Sequence, residues 1–477
     1  MAINLESRRL GRRSFLKWTL IVGALPIVAA CQPQVVEKVV TQIVEKEKIV
    51  EKPVEKIVEK QVEKVVTQIV EKEKIVVATP VAKPLVKIQV NNLIEPPNPH
   101  YLDAAKLFNQ AYGGRIQVEL LTATGRDWKT NLITAIQAGS PPDTDVRLQI
   151  GWLGEFGAAG WLLGLDKYLA EADFAKDIPK EVLVEGRLKP TEPVIIIPAE
   201  GFTSIMYYNK AILDKAGVKP PATIQEFKDA VKAIAQPQNN LWGYGLRGGP
   251  NANQHWEAWL FAHGGDWFDP NNEKILLDQE PAIQAAQMYI DFYKNKWVRP
   301  ESLTDDFAKI AQGLISKSMA MWNHGIHVRK QMFDGLGKDL GYIAVPKGTR
   351  AGTWKNFNGP GILKASKNPD AAFEYIKWFM QPEWRKKFTV EAPDERIPTT
   401  KALMEHPKMK EDEAFKLSMS ALFDSYGRSP NWHPKYGEVI GAEFHVGLQK
   451  ALLGEITAKQ WMERARDVLL GKMKPGA

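Results

Sequence analysis

The sequence predicts an α/β protein with more than one domain, and three observations support this prediction. The chain has 477 residues, which is too long for a single hydrophobic core at about 150 residues per domain. Hydrophobic residues make up 44% and charged residues 25% of the chain, as in ordinary globular proteins. From residue 85 onward, strand patterns alternate with helical patterns, and this order predicts a parallel sheet with helices on its faces.

Residues 1–30 predict an export signal peptide. An arginine pair at residues 12–13 precedes Phe-Leu-Lys, a pattern that resembles a twin-arginine signal. The apolar stretch that follows, residues 18–30, is shorter than a typical membrane-spanning helix. It ends in Val-Ala-Ala before Cys31 and resembles the cleavage motif of bacterial lipoproteins. We therefore expect lipidation of Cys31 and a lipid anchor on the outside of the cytoplasmic membrane or at the cell surface; an ordinary buried cysteine is the alternative.

Charge and cysteine content exclude several other classes of protein. The formal net charge is +7, but residues 1–30 alone contain five basic residues and one acidic residue. The rest of the chain is nearly neutral for its length, which argues against a nucleic-acid partner. Cys31 is the only cysteine, so intramolecular disulfides and cysteine-based zinc or iron–sulfur sites are excluded.

Residues 31–84 predict a charged spacer. Residues 36–50 recur unchanged as residues 62–76, and the tract consists mainly of Val, Ile, Glu and Lys. Val and Ile are poor helix formers, and Pro53 would interrupt the coiled coil that heptad-like spacing could otherwise support. We expect an extended, solvated stalk, with self-association through a coiled coil as the alternative.

The first folded unit begins near Leu85. Strand patterns cover residues 86–90, 116–120 and 146–150, and helical patterns cover residues 101–112, 127–138 and 153–159. In parallel sheets, ligands bind beyond the carboxyl ends of the strands. The sequence therefore places residues 91–100, 122–128 and 149–152 on the binding side.

A second α/β unit follows. Apolar runs at residues 194–197 and 205–208 predict two buried strands. Thr223 and Glu226 form a capping-box pattern ahead of a helical stripe over residues 227–235. Further helices are predicted at residues 281–293, 369–380, 438–453 and 457–470.

Several short motifs occur in the order that is typical of one protein family. They include AGSPPD at residues 138–143, GWLLGLD at 160–166, YYNK at 207–210, AGVKPP at 216–221, HGG at 263–265 and GILKASKNP at 361–369. Each motif is weak by itself, but the ordered set is specific. Over about residues 85–470 the chain resembles the sugar-type extracellular solute-binding proteins of bacterial ABC importers.

The resemblance implies a two-lobed periplasmic-binding-protein fold of the class II type, in which hinge-crossing segments join the lobes. One lobe would comprise residues 85–199 plus 346–398, and the other residues 204–343 plus 402–477. The lobes of such proteins close on a ligand by hinge bending. We expect a monomeric protein without cofactor, metal or catalytic residues. It would capture a mono- or oligosaccharide, or another small solute, and deliver it to the permease subunits in the membrane.

The resemblance also suggests which residues contact the ligand. Aromatic rings suit the C–H faces of a sugar, and polar side chains suit its hydroxyls. From their motif positions we expect contacts from Gln149, Trp152, Glu200, Phe202, Trp256, Trp259, Trp322, Asn323, His324, Trp354, Asn356, Asn358, Arg396 and Trp432. For each tryptophan the alternative is packing in the core.

Other classes of function remain open from the sequence. A cell-surface adhesion or structural lipoprotein would depend on the spacer more than on a cleft. A secreted glycosidase would need two carboxylates at a defined separation, which one sequence cannot reveal. His324 and His327 have a metal-like spacing without an adjacent acidic ligand, so we expect no metal site there.

Overall fold

The computed structural model of the protein describes residues 84–93, 100–123, 128–392 and 395–476. The predicted signal peptide, Cys31 and all of the predicted spacer up to residue 83 lie outside the described residues. None of the described helices combines the length and the hydropathy that a bilayer crossing requires.

Two β-sheets organise the described chain. The strands are β1 (Val86–Leu93), β2 (Ile116–Ala123), β3 (Thr144–Gln149), β4 (Glu200–Thr203), β5 (Ile205–Asn209), β6 (Trp242–Tyr244), β7 (Met319–His324), β8 (Leu340–Ile343), β9 (Lys355–Ile362) and β10 (Ile397–Pro398). One sheet has six strands in the order β10-β4-β9-β3-β1-β2, and the other has four in the order β6-β7-β5-β8. Strand β1 runs parallel to β2 and β3, as predicted, but β9 runs antiparallel to β3 and β4, so the larger sheet is mixed.

Helices surround both sheets. They are α1 (His100–Tyr112), α2 (Trp128–Gln137), α3 (Leu153–Ala158), α4 (Asp166–Glu171), α5 (Asp173–Lys176), α6 (Lys180–Leu183), α7 (Lys210–Ala216), α8 (Ile224–Ile234), α9 (Asn253–Ala262), α10 (Glu280–Lys294), α11 (Phe307–Ile315), α12 (Arg329–Leu336), α13 (Pro369–Phe379), α14 (Pro382–Thr389), α15 (Lys401–Met404), α16 (Pro407–Glu411), α17 (Glu413–Phe423), α18 (Tyr436–Glu438), α19 (Phe444–Leu452) and α20 (Ala458–Leu469). The predicted capping box at the start of α8 is present, because the Thr223 side chain accepts from the Glu226 amide and the Glu226 carboxylate accepts from the Thr223 amide.

The chain passes directly from one sheet to the other. Only Ser204 separates β4 of the larger sheet from β5 of the smaller sheet, and the chain returns between β8 and β9. The buried Thr203 and Thr353 hydroxyls are 2.8 Å apart, and Thr353 also donates to the Ser204 carbonyl at 3.0 Å. These bonds tie the two connecting segments to each other at the point where they cross.

The buried apolar residues form two clusters. One includes Ile88 and Phe108 beside the larger sheet and extends to Trp322 of the smaller sheet. The other is built around α9, α10 and the C-terminal helices, and it includes Trp256 and Trp461. Each sheet is therefore covered by helices that bury their apolar faces against it, as an α/β fold requires.

Residues 194–197 do not form the predicted strand, although all four are buried. Pro193 and Pro198 flank this segment, and proline has no amide hydrogen to contribute to a ladder. The Ile197 amide donates to the Pro360 carbonyl at 2.8 Å. The segment therefore lies along β9 through single hydrogen bonds, without becoming a regular strand.

The predicted helix at residues 438–453 is interrupted. A π-helical turn at Val439–Glu443 separates α18 from α19. Such turns insert an extra residue into a helix and occur frequently at functional sites. Ile440 and Gly441 in this turn line the cavity described below.

The backbone of Gly359 in β9 lies so close to the neighbouring segment at Ile197 that it leaves no room for a side chain. A Cβ atom at this position would lie 1.7 Å from the Ile197 carbonyl oxygen. We expect Gly359→Ala to lower the free energy of unfolding by about 3 kcal/mol or more, because the backbone itself must move. Denaturant unfolding measures this loss. In Gly114→Ala, the control, the added atom meets nothing within 4 Å, and the change should stay below about 0.5 kcal/mol. Equal losses in both variants would contradict the packing argument.

Candidate ligand-binding site

One face of the larger sheet brings polar side chains from three strands together. Asn358 of β9 lies opposite Gln149 of β3 on one side and opposite Glu200 of β4 on the other. Side chains of paired residues project to the same face, and residues two positions along a strand, such as Arg147 and Phe202, share that face. The strand register therefore assembles a polar surface from residues that are far apart in the chain.

Glu200 is the centre of a buried charge cluster on this face. Its side chain is 2% exposed and accepts hydrogen bonds from Arg147, at 3.1 Å from Nε and 2.9 Å from Nη2, and from Asn358 Nδ2 at 3.3 Å. Arg396 Nε lies 4.0 Å from the same carboxylate oxygen. Burial alone would raise the pKa of Glu200, but the Arg147 and Arg396 charges more than offset it and hold that pKa below its usual value.

A cavity of about 370 Å³ lies at the edge of this face. Its lining residues are Trp128, Lys129, Gln149, Gly151, Trp152, Pro250, Asn251, Asn253, Gln254, Trp354, Asn356, Asn431, Tyr436, Gly437, Ile440 and Gly441. Gln149 and Asn356 belong to the larger sheet, whereas residues 250–254 follow β6 of the smaller sheet. The cavity is therefore built from both halves of the fold, and its volume is in the range of small-molecule sites.

Two tryptophans form one wall of the cavity. The ring centroids of Trp128 and Trp152 are 4.7 Å apart, and the Trp128 indole donates to the Asp145 carboxylate at 2.8 Å. Burial raises the pKa of Asp145 to about 6. Lys129 lies over the Trp152 ring and pairs with Glu155 at 2.5 Å. Lys129, the one lysine or arginine that lines the cavity in the described part of the chain, is thus neutralised by an adjacent carboxylate.

Two amide oxygens on this face have no hydrogen-bond partner among the described residues. They are Asn356 Oδ1 and Asn358 Oδ1. Because Asn358 Nδ2 donates to Glu200, the Asn358 oxygen is the atom that remains available. A buried acceptor without a donor is costly in a native protein, so these atoms indicate a place where a ligand donor is accommodated.

Three histidines connect this face to the smaller sheet: His255 and His324 are buried, and His327 is half-buried. The His327 ring contacts the Phe202 ring at 5.9 Å and the His324 ring at 4.7 Å. Burial lowers the pKa of His255 and of His324 well below the usual value and lowers that of His327 to about 3, with smaller contributions from nearby arginines. All three imidazoles are therefore neutral at pH 7. In the described part of the chain, no group of three His, Cys, Asp or Glu side chains is placed to hold a metal ion.

The structure brings many of the predicted site residues together. Gln149, Trp152, Trp354 and Asn356 line the cavity. Glu200, Phe202, Asn358 and Arg396 form the polar cluster beside it, where the Arg396 guanidinium lies 5.0 Å from the Phe202 ring centroid. In this second group the Glu200 carboxylate is already engaged by Arg147, so its part in the site is to hold its neighbours in place.

Two predicted ligand contacts, Trp256 and Trp259, are wrong. Both rings lie on α9 and are 0% exposed. Trp256 packs against Phe444 and Trp461, and Trp259 stacks on Phe227 at 4.4 Å. The helix is buried on all sides, so these rings face the core. This is the alternative of core packing that the sequence left open for each tryptophan.

Three other predicted ligand contacts, Trp322, Asn323 and Trp432, pack against or bond to other protein side chains. Trp322 is 0% exposed and lies inside strand β7, not on a loop. Asn323 is bonded to Tyr244 and to the His255 carbonyl. Trp432 packs on Phe268 and is not part of the cavity lining. We therefore do not assign direct ligand contact to Trp322, Asn323 or Trp432.

Sequence reasoning missed several lining residues. Trp128 lies within the predicted binding-side range of residues 122–128 but was not singled out, and Lys129 follows it. Residues 250–254 follow the Gly248-Gly249 turn, and a turn leading into a helix could have drawn attention to them. Asn431 and Tyr436 reach the cavity from near the end of the chain, and no local pattern marks them.

Comparisons with known proteins agree with this geometry. The model of the family described as bacterial extracellular solute-binding protein matches residues 99–386. The maltotriose-binding protein of Pyrococcus abyssi is 25% identical over 334 residues, which is 68% of this chain and 70% of that protein. The first curated relatives are matched over 63–70% of their own length.

Solved structures share the fold. A solute-binding protein of Thermotoga lettingae bound with α-D-tagatose superposes with a TM-score of 0.71 at 21% identity, covering 81% of this chain and 99% of that one. The GacH receptor of Streptomyces glaucescens gives a TM-score of 0.70 at 21% identity, covering 82% and 100%. These likenesses confirm the predicted two-lobed α/β fold.

The fold and the cavity between its halves define a solute-binding protein. The family match covers more than half of the chain, and the protein belongs to the bacterial extracellular solute-binding proteins. Members of this family are binding components of importers rather than enzymes, and they act outside the cytosol.

Removing the charge of Glu200 tests the buried cluster. We expect Glu200→Gln to lower the free energy of unfolding at pH 7 by about 3–5 kcal/mol, because Arg147 and Arg396 lose their countercharge. Since the pKa of Glu200 is lowered by folding, its contribution is present above the unfolded-state pKa of about 4.3 and is lost as the pH falls through the folded-state value. Urea unfolding at several pH values should therefore show the difference from wild type shrinking in acid.

The control for this experiment is Glu192→Gln. Glu192 pairs with Lys189 at 3.4 Å, and both side chains are exposed, so the expected loss is below about 1 kcal/mol. A loss of that small size for Glu200→Gln would show that the buried cluster does not depend on the carboxylate.

Proposed function

We propose that the protein binds a carbohydrate in the cavity between its two halves and delivers it to the permease of an ABC importer. One observation carries this proposal. Tryptophan rings and uncharged amide side chains meet in a single cavity, and Lys129, the only lysine or arginine among the described residues that line it, is paired with Glu155. Neutral polyhydroxylated molecules match that combination better than anions or cations do.

The chemistry of the lining suits a sugar in detail. The faces of Trp152 and Trp354 offer apolar surface for the C–H side of a pyranose or furanose ring. Gln149, Asn356 and Asn431 offer both donors and acceptors, so each can satisfy a hydroxyl group in either role. Asn356 Oδ1, which has no partner within the described ranges, adds an acceptor for a hydroxyl proton.

The ligands of relatives point in the same direction. The relative from Pyrococcus abyssi is named for maltotriose, and the structure from Thermotoga lettingae contains α-D-tagatose. These ligands differ in ring form and in length. They support a carbohydrate as the class of ligand for this protein, with the number of sugar units left to measurement.

We assign the ligand to a cleft between lobes formed by residues 85–199 plus 346–398 and by residues 204–343 plus 402–477. The direct passage from β4 to β5 at Ser204 and the return before β9 support these bounds. Bending at these segments would close the lobes on the ligand. The closed shape is then what the permease would recognise.

Binding without catalysis is part of the proposal. Three carboxylates that contact lining residues are engaged: Glu155 pairs with Lys129, Asp145 accepts the Trp128 indole N–H, and Glu257 accepts from the Tyr436 hydroxyl and the Asn253 amide. A glycosidase needs one carboxyl group to protonate the leaving group and another to act as base or nucleophile. Carboxylates held in these ion pairs and hydrogen bonds are not arranged for those roles.

Truncation of Trp354 tests the location of the site. We expect Trp354→Ala to weaken carbohydrate affinity more than tenfold, because a buried aromatic anchor contributes over 1.4 kcal/mol when it contacts a ligand. The ligand is the sugar that gives the largest thermal shift in a panel of maltose, maltotriose and D-tagatose. At 100 times Kd, that sugar should stabilise the wild-type protein by about 2.7 kcal/mol.

The matched control is Trp432→Ala, which removes a partly buried tryptophan that packs on Phe268 away from the cavity lining. Isothermal titration calorimetry should show its affinity within about twofold of wild type, since surface changes outside a site are close to neutral. Equal affinity in both variants would place the ligand elsewhere, and a panel without any thermal shift would contradict the carbohydrate proposal.

We further propose that Cys31 carries a lipid anchor. The apolar stretch and the Val-Ala-Ala sequence before it support this modification. We expect Cys31→Ser to shift the full-length protein from the membrane fraction of expressing cells to the soluble fraction, because two or three acyl chains are needed for stable anchoring. Immunoblotting of the separated fractions measures the shift. Retention of the variant in the membrane fraction would contradict the anchor.

A further inference from the structure

Three aromatic side chains form a hydrogen-bonded chain that direct contact with a ligand does not explain. Trp322 Nε1 lies 3.4 Å from His255 Nδ1, and His255 Nε2 lies 3.0 Å from His324 Nδ1. The exposed fractions of the three residues are 0%, 0% and 4%. Asn323 Nδ2 donates to the His255 carbonyl at 3.1 Å and holds the middle residue against β7.

The direction of this chain follows from the chemistry of its first member. An indole N–H is only a donor, so His255 Nδ1 is the acceptor and carries no proton. In a neutral imidazole the other nitrogen then carries the proton, and His255 Nε2–H donates to His324 Nδ1. The same rule places the proton of His324 on Nε2. A single indole therefore determines the tautomers of two histidines.

The charges around the two imidazoles favour the neutral forms that this argument requires. Arg247 and His327 face His255, and His327, His255 and Arg247 face His324. Arg396 and Arg147 lie beyond them, next to His327. Adding a proton would place a further cation among buried guanidinium groups, which is unfavourable.

The chain of hydrogen bonds ends at the boundary between the two sheets. His324 is the last residue of β7 and pairs with Ile205, which directly follows the crossing at Ser204. Its Nε2 has no hydrogen-bond partner among the described residues. Beside it lie His327, which contacts Phe202 of the larger sheet, and Phe307, which is 43% exposed.

We propose that Trp322 and His255 are positioning residues that hold the His324 proton on Nε2, and that this N–H donates to a hydroxyl oxygen of the bound carbohydrate. The inference rests on the proposed function, and it assigns Trp322 a role through its indole N–H in place of stacking on the ligand. A buried N–H without an acceptor lowers the stability of the folded protein, and a ligand oxygen bonded to His324 Nε2–H would remove this penalty. The site thereby discriminates for a ligand group that accepts a hydrogen bond at the hinge side of the cleft.

The first test is the tautomer, measured without any ligand. Nitrogen-15 NMR of the imidazoles distinguishes a proton on Nε2 from one on Nδ1. We expect one tautomer, with the proton on Nε2, for both His255 and His324 in the wild-type protein at pH 7. In Trp322→Phe, which keeps a ring but removes the indole N–H, we expect both histidines to populate the other tautomer as well.

The second test is affinity, with the best sugar of the panel as the probe. We expect Trp322→Phe to weaken binding between about two- and tenfold, the range for loss of one uncharged hydrogen bond. His324→Phe removes both nitrogens and keeps a ring between Trp322 and Phe307, with which His324 stacks, and it should cause a loss in the same range. It also provides a second variant if Trp322→Phe does not fold.

Trp461→Phe is the matched control for general loosening of the half of the fold that contains the smaller sheet. Its indole is also 0% exposed and donates to the Phe444 carbonyl at 3.1 Å, outside the hydrogen-bonded chain. We expect unchanged histidine tautomers and an affinity within about twofold of wild type. An equal loss of affinity in this variant would overturn the proposal, because the effect would then come from lobe stability.

Other results separate this inference from the proposed function. A wild-type His324 with its proton on Nδ1, or tautomers that Trp322→Phe leaves unchanged, would overturn the hydrogen-bonded chain while carbohydrate binding stands. Affinities that both Trp322→Phe and His324→Phe leave unchanged would overturn the contact to the ligand. If no sugar of the panel binds the wild-type protein, the proposed function and the ligand contact both fail.

Discussion

The buried carboxylate of Glu200 is the interaction on which the arrangement of the site depends. A charge taken out of water costs several kcal/mol unless partners compensate it, and Glu200 finds these partners on three other segments. Arg147 belongs to β3, Asn358 to β9, and Arg396 directly precedes β10. These contacts link β3, β4, β9 and the segment before β10 in the register that the sheet adopts.

The character of the cleft follows from this cluster. Asn358 donates an amide hydrogen to Glu200 and keeps an oxygen that has no partner among the described residues, while Arg396 lies against Phe202. Arg147 and Arg396 compensate Glu200 and at the same time disfavour protonation of His327. The aromatic rings and amide side chains that line the cavity therefore lie beside a cluster whose charges compensate one another. Such a surface suits a neutral polyhydroxylated molecule.

Much of the fold could be predicted from local patterns. The period of the apolar residues indicated the strands at Val86–Leu93 and Ile116–Ala123, and the capping box indicated the start of α8. The prediction was wrong at residues 194–197, where flanking prolines prevent a regular ladder. The antiparallel addition of β9 was also not foreseen, because pairing between distant strands leaves no mark on the sequence near either one.

The candidate site was predicted less completely than the fold, because burial also depends on distant parts of the chain. Gln149 and Trp152 follow a predicted strand, and that position alone indicates the binding side. Trp256 and Trp259 were expected in the site because of their residue type, but their helix is buried on all sides. Residue type states what a side chain can bind, whereas burial decides whether it can reach a ligand. Trp322 shows the difference, since its ring is buried and its N–H still acts on the histidines.

The sequence by itself determined much of the order of strands and helices, and it determined the family resemblance. These properties depend on residue type and on spacing within about twenty positions, and both are visible in one chain. The tertiary structure alone decided which tryptophans line the cavity, which carboxylates are neutralised and which side chain accepts the hydrogen bond of the Trp322 indole. Those properties depend on partners such as Arg147 and Glu200, or Trp322 and His255, which are more than fifty residues apart and meet only when the chain has folded.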